Sequence, residues 1–182
     1  AVFSILQSDS AGILSGLRAG RFELGFTGMD ETADDLTFLP FFHDHMVLIT
    51  PNTAHFQALA AEKTPVRALL ESEPLLLREP GSGSQKCVDA FLKDAGIDSA
   101  ALHVTARLND QQSIKNLVAA GLGISIISGK AVHDACRSGR LLCLPLEGSS
   151  AGRRLYLVWR KGDALRAQTL SFIDFVRNFY SE

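Results

Sequence analysis

The sequence predicts an α/β protein built as two lobes. Short apolar runs of strand length take turns with segments whose apolar residues fall at helical spacing, along all 182 residues. Glycines mark the ends of the helical segments. Two strongly apolar runs, Met46–Ile49 and Ile124–Ile127, have the character of buried strands that could carry the chain from one lobe to the other.

Val2–Leu6 reads as a strand. Ser8, Asp9 or Ser10 can cap a helix that buries Ile13, Leu14 and Leu17 before Gly20 stops it. Phe22, Leu24 and Phe26 then alternate as a strand ending at Thr27–Gly28, so the chain opens as strand, helix, strand, the beginning of a parallel sheet. Because the first residues already lie in an expected strand, the sequence reads as a segment of a longer polypeptide.

Asp30–Asp35 forms an acidic loop, and Phe41–Thr50 a first crossing between lobes. Thr64–Pro65 sets up a short helix over Val66–Leu70. Leu75–Leu77 is a buried strand running into Gly81–Ser82–Gly83–Ser84, after which Val88, Phe91, Leu92 and Ala95 share one face of a helix closed by Gly96. Leu102, Val104, Ala106 and Leu108 alternate as a half-buried strand.

Asn109 or Asp110 caps the next helix, with Ile114, Leu117 and Val118 on its inner side, and Gly121 ends it before the Ile124–Ile127 strand. A short helix follows with Ala131, Val132, Ala135 and Cys136. Leu141–Leu146 and Leu155–Arg160 are strands. The last helix, from about Asp163, buries Leu165, Thr169, Phe172, Ile173, Val176 and Phe179. This gives lobe one as residues 1–45 plus 129–182, and lobe two as 46–128.

Composition narrows the function classes. A net charge of -2 offers no clustered basic surface for nucleic acid within this segment. No apolar run reaches the length of a membrane span, and no basic stretch followed by a hydrophobic one opens the chain, which points to the cytoplasm. Cys87, Cys136 and Cys143 lack the close pairs of a zinc site and read as buried thiols.

The candidate site residues share one chemistry. Ser8–Asp9–Ser10, Ser82–Gly83–Ser84 and Asn109–Asp110 each follow a strand and start a helix, where free backbone N–H groups and the positive end of the helix dipole favour an anion or a carboxylate-bearing ligand. Thr27–Gly28 adds a hydroxyl and open backbone, and Ser125 a hydroxyl within the apolar Ile124–Ile127 strand. Ordinary helix capping explains each start taken alone; their agreement favours a ligand. Asp9 counts against an anion unless it caps its own helix.

Other constellations fall short. Gly148–Ser149–Ser150–Ala151–Gly152 has the spelling of a nucleophile elbow but lies between two strands rather than between a strand and a helix. Gly123–Lys130 has the wrong glycine spacing for a phosphate loop, and Ala131 stands where Ser or Thr is needed. His43 and His45 lack a third metal ligand at a fixed spacing and read as a solvated face. Arg153–Arg154 and Arg160–Lys161 read as surface charges. No acid, base and nucleophile set emerges, so no enzyme activity and no cofactor are expected.

Val2–Phe3–Ser4–Ile5, Leu17 through Phe26, Asp44 through Pro51 and, most specifically, Val118–Ala119–Ala120–Gly121–Leu122–Gly123–Ile124–Ser125–Ile126–Ile127 resemble the effector-binding domain of LysR-type transcriptional regulators. The resemblance runs through the chain in order. It implies a two-lobed type II periplasmic-binding-protein-like fold with parallel-rich sheets, here lacking the first strand and helix of lobe one. It also implies a small-molecule effector between the lobes, an N-terminal winged helix-turn-helix that binds DNA and lies outside this sequence, and assembly as a homodimer or homotetramer. By position, Ser8–Ser10, Thr27, Ser82–Gly83–Ser84 and Asn109 correspond to the family's ligand-binding segments, and Ser8, Ser10, Thr27, Gly28, Ser82, Gly83, Ser84, Asn109 and Ser125 are the expected ligand-binding residues. Thr27 with the serine-rich loop is similar to the branch controlling sulfur and cysteine metabolism genes. A solute-binding protein of a transport system shares the implied fold and is the alternative.

Overall fold

The computed structural model describes residues 2–29, 31, 33–148 and 151–180. In chain order its elements are α1 (Ser10–Arg18), β1 (Gly25–Thr27), β2 (Leu36–Pro51), α2 (Ala54–Ala61), α3 (Val66–Ser72), β3 (Leu75–Arg78), α4 (Gly83–Asp94), a 3-10 turn at Ser99–Ala101, β4 (Val104–Leu108), α5 (Gln111–Ala119), β5 (Ser125–Ser128), α6 (Gly129–Arg137), β6 (Leu141–Pro145), β7 (Gly152–Arg160) and α7 (Ala167–Phe179). Packing divides them into two compact units: Ala1–His43 with Gly81–Gly83 and Arg154–Glu182, and Asp44–Pro80 with Ser84–Arg153.

In the first unit, β1 runs antiparallel to β7, with Gly25 opposite Val158, Phe26 opposite Leu157 and Thr27 opposite Tyr156. Alternation sends the two sides of β7 to different helices. Tyr156 and Val158 pack with Leu14 and Leu17 of α1, and Leu157 packs with Ile173 and Val176 of α7. The first helix starts as its sequence asks: the Asp9 carboxylate accepts the Gly12 N–H at 2.7 Å.

The α7 start is capped from a distance. The Glu23 carboxylate accepts the Arg166 backbone N–H at 3.0 Å and the Thr169 hydroxyl at 2.7 Å, and it pairs with the Arg166 guanidinium. These bonds, the Arg166 guanidinium foremost, pull the Glu23 carboxyl down to about 2. A carboxyl depressed in the folded state stabilises fully above its unfolded value and loses that contribution as pH falls through the folded one. The stabilisation from Glu23 is therefore expected to fade between the ordinary carboxylate range and about pH 2. Glu23→Gln should flatten the acid limb of a melting-temperature profile over that window; an unchanged profile would show that the cap adds nothing.

In the second unit, the latter half of β2 pairs antiparallel with β5 on one side, Met46 opposite Ser128 through Ile49 opposite Ser125. On its other side it pairs with β6, Val47 opposite Pro145 through Pro51 opposite Leu141. A parallel bridge from Ile124 to Leu75 continues toward β3, which pairs parallel with β4. Alternation again sorts the side chains. Leu48, Leu75, Leu77 and Ile126 face Val88, Phe91 and Leu92 of α4, whereas Ile49, Leu76 and Ile127 face Ile114 and Val118 of α5 and Val132 of α6. Each fully buried aliphatic side chain of this kind stabilises by about 1.5–3 kcal/mol.

Several expectations need correction. Val2–Leu6 forms no strand, and Val2, Ile5 and Leu6 are exposed; a strand needs a neighbour, and no described strand pairs with this stretch. The sheets are mixed: β3 and β4 are parallel, but the long β2 makes antiparallel pairs. Phe179 is exposed at the end of α7, its ring stacked on Phe175. Residues 129–153, expected in the first lobe, pack in the second unit because α6 lies on β5 and β6, and β6 pairs with β2. The return passage is therefore in β7, between Arg153 and Arg154, rather than at Ile124–Ile127.

Helix α2 was unforeseen because it is alanine-rich and buries only Phe56. Pro65 stands at the N-cap of α3, one position earlier than the sequence suggests. Cys136 and Cys143 are joined in a disulfide across the turn from α6 to β6, with Cα atoms 6.0 Å apart, while Cys87 is a buried thiol outside that disulfide. Burial pushes the Cys87 thiol up, which keeps it protonated. Residues 30 and 32 of the acidic loop, and Ser149 and Ser150 of the elbow-like stretch, lie outside the described residues. Among the described residues no helix is long and apolar enough to cross a membrane.

Candidate functional site

In the first unit, three segments named from the sequence meet. Asp9 and Ser10 start α1, Thr27–Gly28 ends β1, and Gly81–Ser82–Gly83 packs against both. A Cβ on Gly83 would lie 2.8 Å from the Gly28 carbonyl carbon and 2.8 Å from the Ser10 hydroxyl oxygen. One on Gly81, whose φ is +99°, would lie 2.8 Å from an Asp9 carboxylate oxygen. Glycine is what lets these backbones approach so closely.

The Thr27 hydroxyl oxygen accepts the Met29 N–H at 3.0 Å and so closes the turn after β1. Its own hydrogen is what it can still offer a ligand. Ser82 is buried, and Ser8 is exposed. Asp9 resolves its own objection, since capping α1 occupies its carboxylate.

In the second unit, the Ser84 hydroxyl oxygen accepts from Arg153 Nη1 at 2.9 Å and from Gln111 Nε2 at 3.4 Å. Arg153 also donates from Nε and Nη2 to Asp44 Oδ2, at 3.1 and 3.0 Å. The other Asp44 oxygen accepts from the Ser128 hydroxyl at 3.0 Å, and Ser128 in turn accepts the Ala131 N–H as N-cap of α6. The Asp44 and Arg153 side chains are only 1% and 11% exposed. Arg153 is thus no surface charge, whereas Arg154 is exposed as expected.

The remaining candidates play other parts. Asp110, not Asn109, caps α5 by accepting the Ser113 N–H at 2.8 Å, and its bonds to Ser113 hold the carboxyl below the usual range. Asn109 is exposed, and its carbonyl accepts from Arg78 Nη2. Ser125 is fully buried and donates its hydroxyl hydrogen to the Leu76 carbonyl at 2.6 Å, so it ties β5 to β3. His43 and His45 are exposed on either side of the buried Asp44.

Asp44, Gln111, Ser128 and Arg153 escaped the sequence reading. One signal was present: adjacent residues of a strand face opposite ways, so Arg153 and Arg154 could not both be solvated on one face. Hydroxyls and backbone N–H groups at helix starts suit recognition of small acceptor-rich molecules.

A family model described as the LysR substrate binding domain matches residues 1–181. The chain belongs to this family. LysR-type relatives include the HTH-type transcriptional activator CmpR of Synechocystis sp. (strain ATCC 27184 / PCC 6803 / Kazusa), 27% identical over 90% of this chain and 52% of its own length. A phosphonates import ATP-binding protein, PhnC, of Anaeromyxobacter dehalogenans (strain 2CP-C) is 30% identical over 96% of this chain and 34% of its own. The chain thus spans from about a third to about half the length of these two relatives. The solved CcmR regulatory domain of Synechocystis PCC6803, in complex with 2-PG, superposes with a TM-score of 0.81 at 23% identity, covering 96% of this chain and 81% of that one. The α/β, periplasmic-binding-protein-like class expected for a LysR effector-binding domain is therefore the class observed.

Proposed function

We propose that this chain is the effector-sensing part of a LysR-type transcriptional regulator, and that its effector is a small anionic metabolite. The family match over residues 1–181 carries the reading. Support for an anion comes from the chain's own chemistry: Ser10, Thr27, Gly28, Ser82 and Gly83 gather hydroxyls and backbone at helix and turn starts. The CcmR domain's complex with 2-PG is a further pointer. The longer protein, on this reading, binds DNA through an N-terminal winged helix-turn-helix, works as a dimer or tetramer and resides in the cytoplasm. Ligand binding changes transcription by shifting the population of conformations that the DNA-binding part reads, and it needs no cofactor and no catalysis. A finer reading, resting on Thr27 and the serine-rich loop, assigns it to genes of sulfur or cysteine metabolism.

A thermal-shift screen with sulfate, thiosulfate, acetylserine, 2-PG and an aromatic acid tests this. A ligand at a hundred times its dissociation constant stabilises by about 2.7 kcal/mol, which raises the melting temperature by about 5–10 °C for a chain of this size. The shift should be lost in Thr27→Ala or Ser82→Ala. If sulfur compounds leave the melting point unmoved while another acid raises it, the sulfur assignment is overturned. With neutral sugars added to the screen as controls, a shift produced by them and by none of the acids would remove the anion class.

A further inference from the structure

Asp44 and Arg153 lie 109 positions apart in sequence yet share two hydrogen bonds. Asp44 is the first residue of the second unit on β2, and Arg153 is its last on β7. The ion pair therefore joins the first and the last residue of the stretch from which the second unit is drawn. It also reaches three helix starts: Ser84 in the first turn of α4, Gln111 as the first residue of α5, and Ser128 as the N-cap of α6.

A pair this deeply buried contributes little net stability, because removing both charges from water offsets most of their attraction. What such a pair does well is fix register, since only one arrangement satisfies every donor and acceptor. Arginine is needed for this: its planar fork serves the Asp44 carboxylate with two N–H groups and Ser84 with a third, which a lysine ammonium on a flexible stem cannot do in the same geometry.

We propose that Asp44 and Arg153 are positioning residues, which set the register of the two crossing strands and of the α4, α5 and α6 starts without adding to the overall stability. The proposal rests on the effector reading only in that the α4 start belongs to a segment assigned to the ligand.

The test separates global from local stability. Arg153→Met leaves the Asp44 carboxylate buried without its partner, and the melting temperature should fall by about 10 °C. Asp44→Asn combined with Arg153→Met removes both charges, and the melting temperature should return to within about 3 °C of the parent. In that double variant, hydrogen exchange should nevertheless be about tenfold faster at Ala131 and at the first-turn amides of α4, with Leu117 and Val118, a turn or more beyond the start of α5, unchanged. Arg153→Lys should show the same faster exchange despite keeping the charge, and it supplies the comparison if Arg153→Met fails to fold. A double variant as unstable as the single one, or exchange at Ala131 equal to the parent's, overturns the proposal. Neither readout involves a ligand, so a failed thermal-shift screen would sink the effector reading while leaving this result standing.

Discussion

Ile127→Ala is expected to lower the stability of the chain by about 2–5 kcal/mol, read in a melting experiment as a fall of about 5–15 °C. Ile127 is completely buried, stands opposite Val47 in the β2–β5 ladder, and packs with Ile114, Val118 and Val132. Two helices meet the sheet at that side chain, so neither can move in to fill the cavity without leaving the other. Ile127→Val removes one methylene and should cost only about 0.5–1.5 kcal/mol. A loss under 1 kcal/mol for the alanine variant would mean that α5 and α6 collapse freely onto the sheet.

Gly83→Ala tests the meeting of the three first-unit segments. Alanine is favoured over glycine in a helix by about 1 kcal/mol, but that gain is largest in helix interiors, and Gly83 is the first residue of α4. Against it stands the contact of the new Cβ with the Gly28 carbonyl, which is backbone and cannot swing aside as a side chain would. Overpacking of this kind costs about 1–3 kcal/mol, so the variant should be less stable by denaturant unfolding. It should also bind any effector more weakly, because Ser10 and Gly28 are the atoms displaced. A stabilised variant would show that helix propensity wins and that the close approach is incidental.

The elements that can be read from one stretch of chain were legible. Asp9 and Asp110 cap the helices they precede, and Gly20, Gly96, Gly121 and Gly139 follow their helices with positive φ. The apolar Ile124–Ile127 stretch could be recognised as a buried strand, but not as one lying wholly within one unit, since what a strand pairs with is not written in its own residues. Val2–Leu6 shows the same limit from the other side: its apolar run suits a strand, and no strand among the described residues pairs with it. Within the candidate site, Ser10, Gly28 and Gly83 were identified and do meet. The bond from Ser125 to the Leu76 carbonyl was not legible, because a serine among isoleucines looks alike whichever neighbour its hydroxyl meets. Arg153 was misread because its partner is Asp44, far away in sequence.

The division of the chain also dictates an order of events during synthesis. The second unit is drawn, but for its excluded loop, from one stretch, Asp44 to Arg153, so it can close before the ribosome has finished. The first unit is drawn from both ends. β1 must wait for β7, and the Glu23 carboxylate waits 143 positions for Arg166, the residue whose N–H it caps. Until β7 has emerged, Leu14 and Leu17 have no Tyr156 or Val158 to lie against. The part of the first unit that precedes Asp44 is thus buried later than the second unit it is made before, and a nascent chain stalled before Arg154 would present a finished second unit beside unpaired apolar residues that chaperones would be expected to hold.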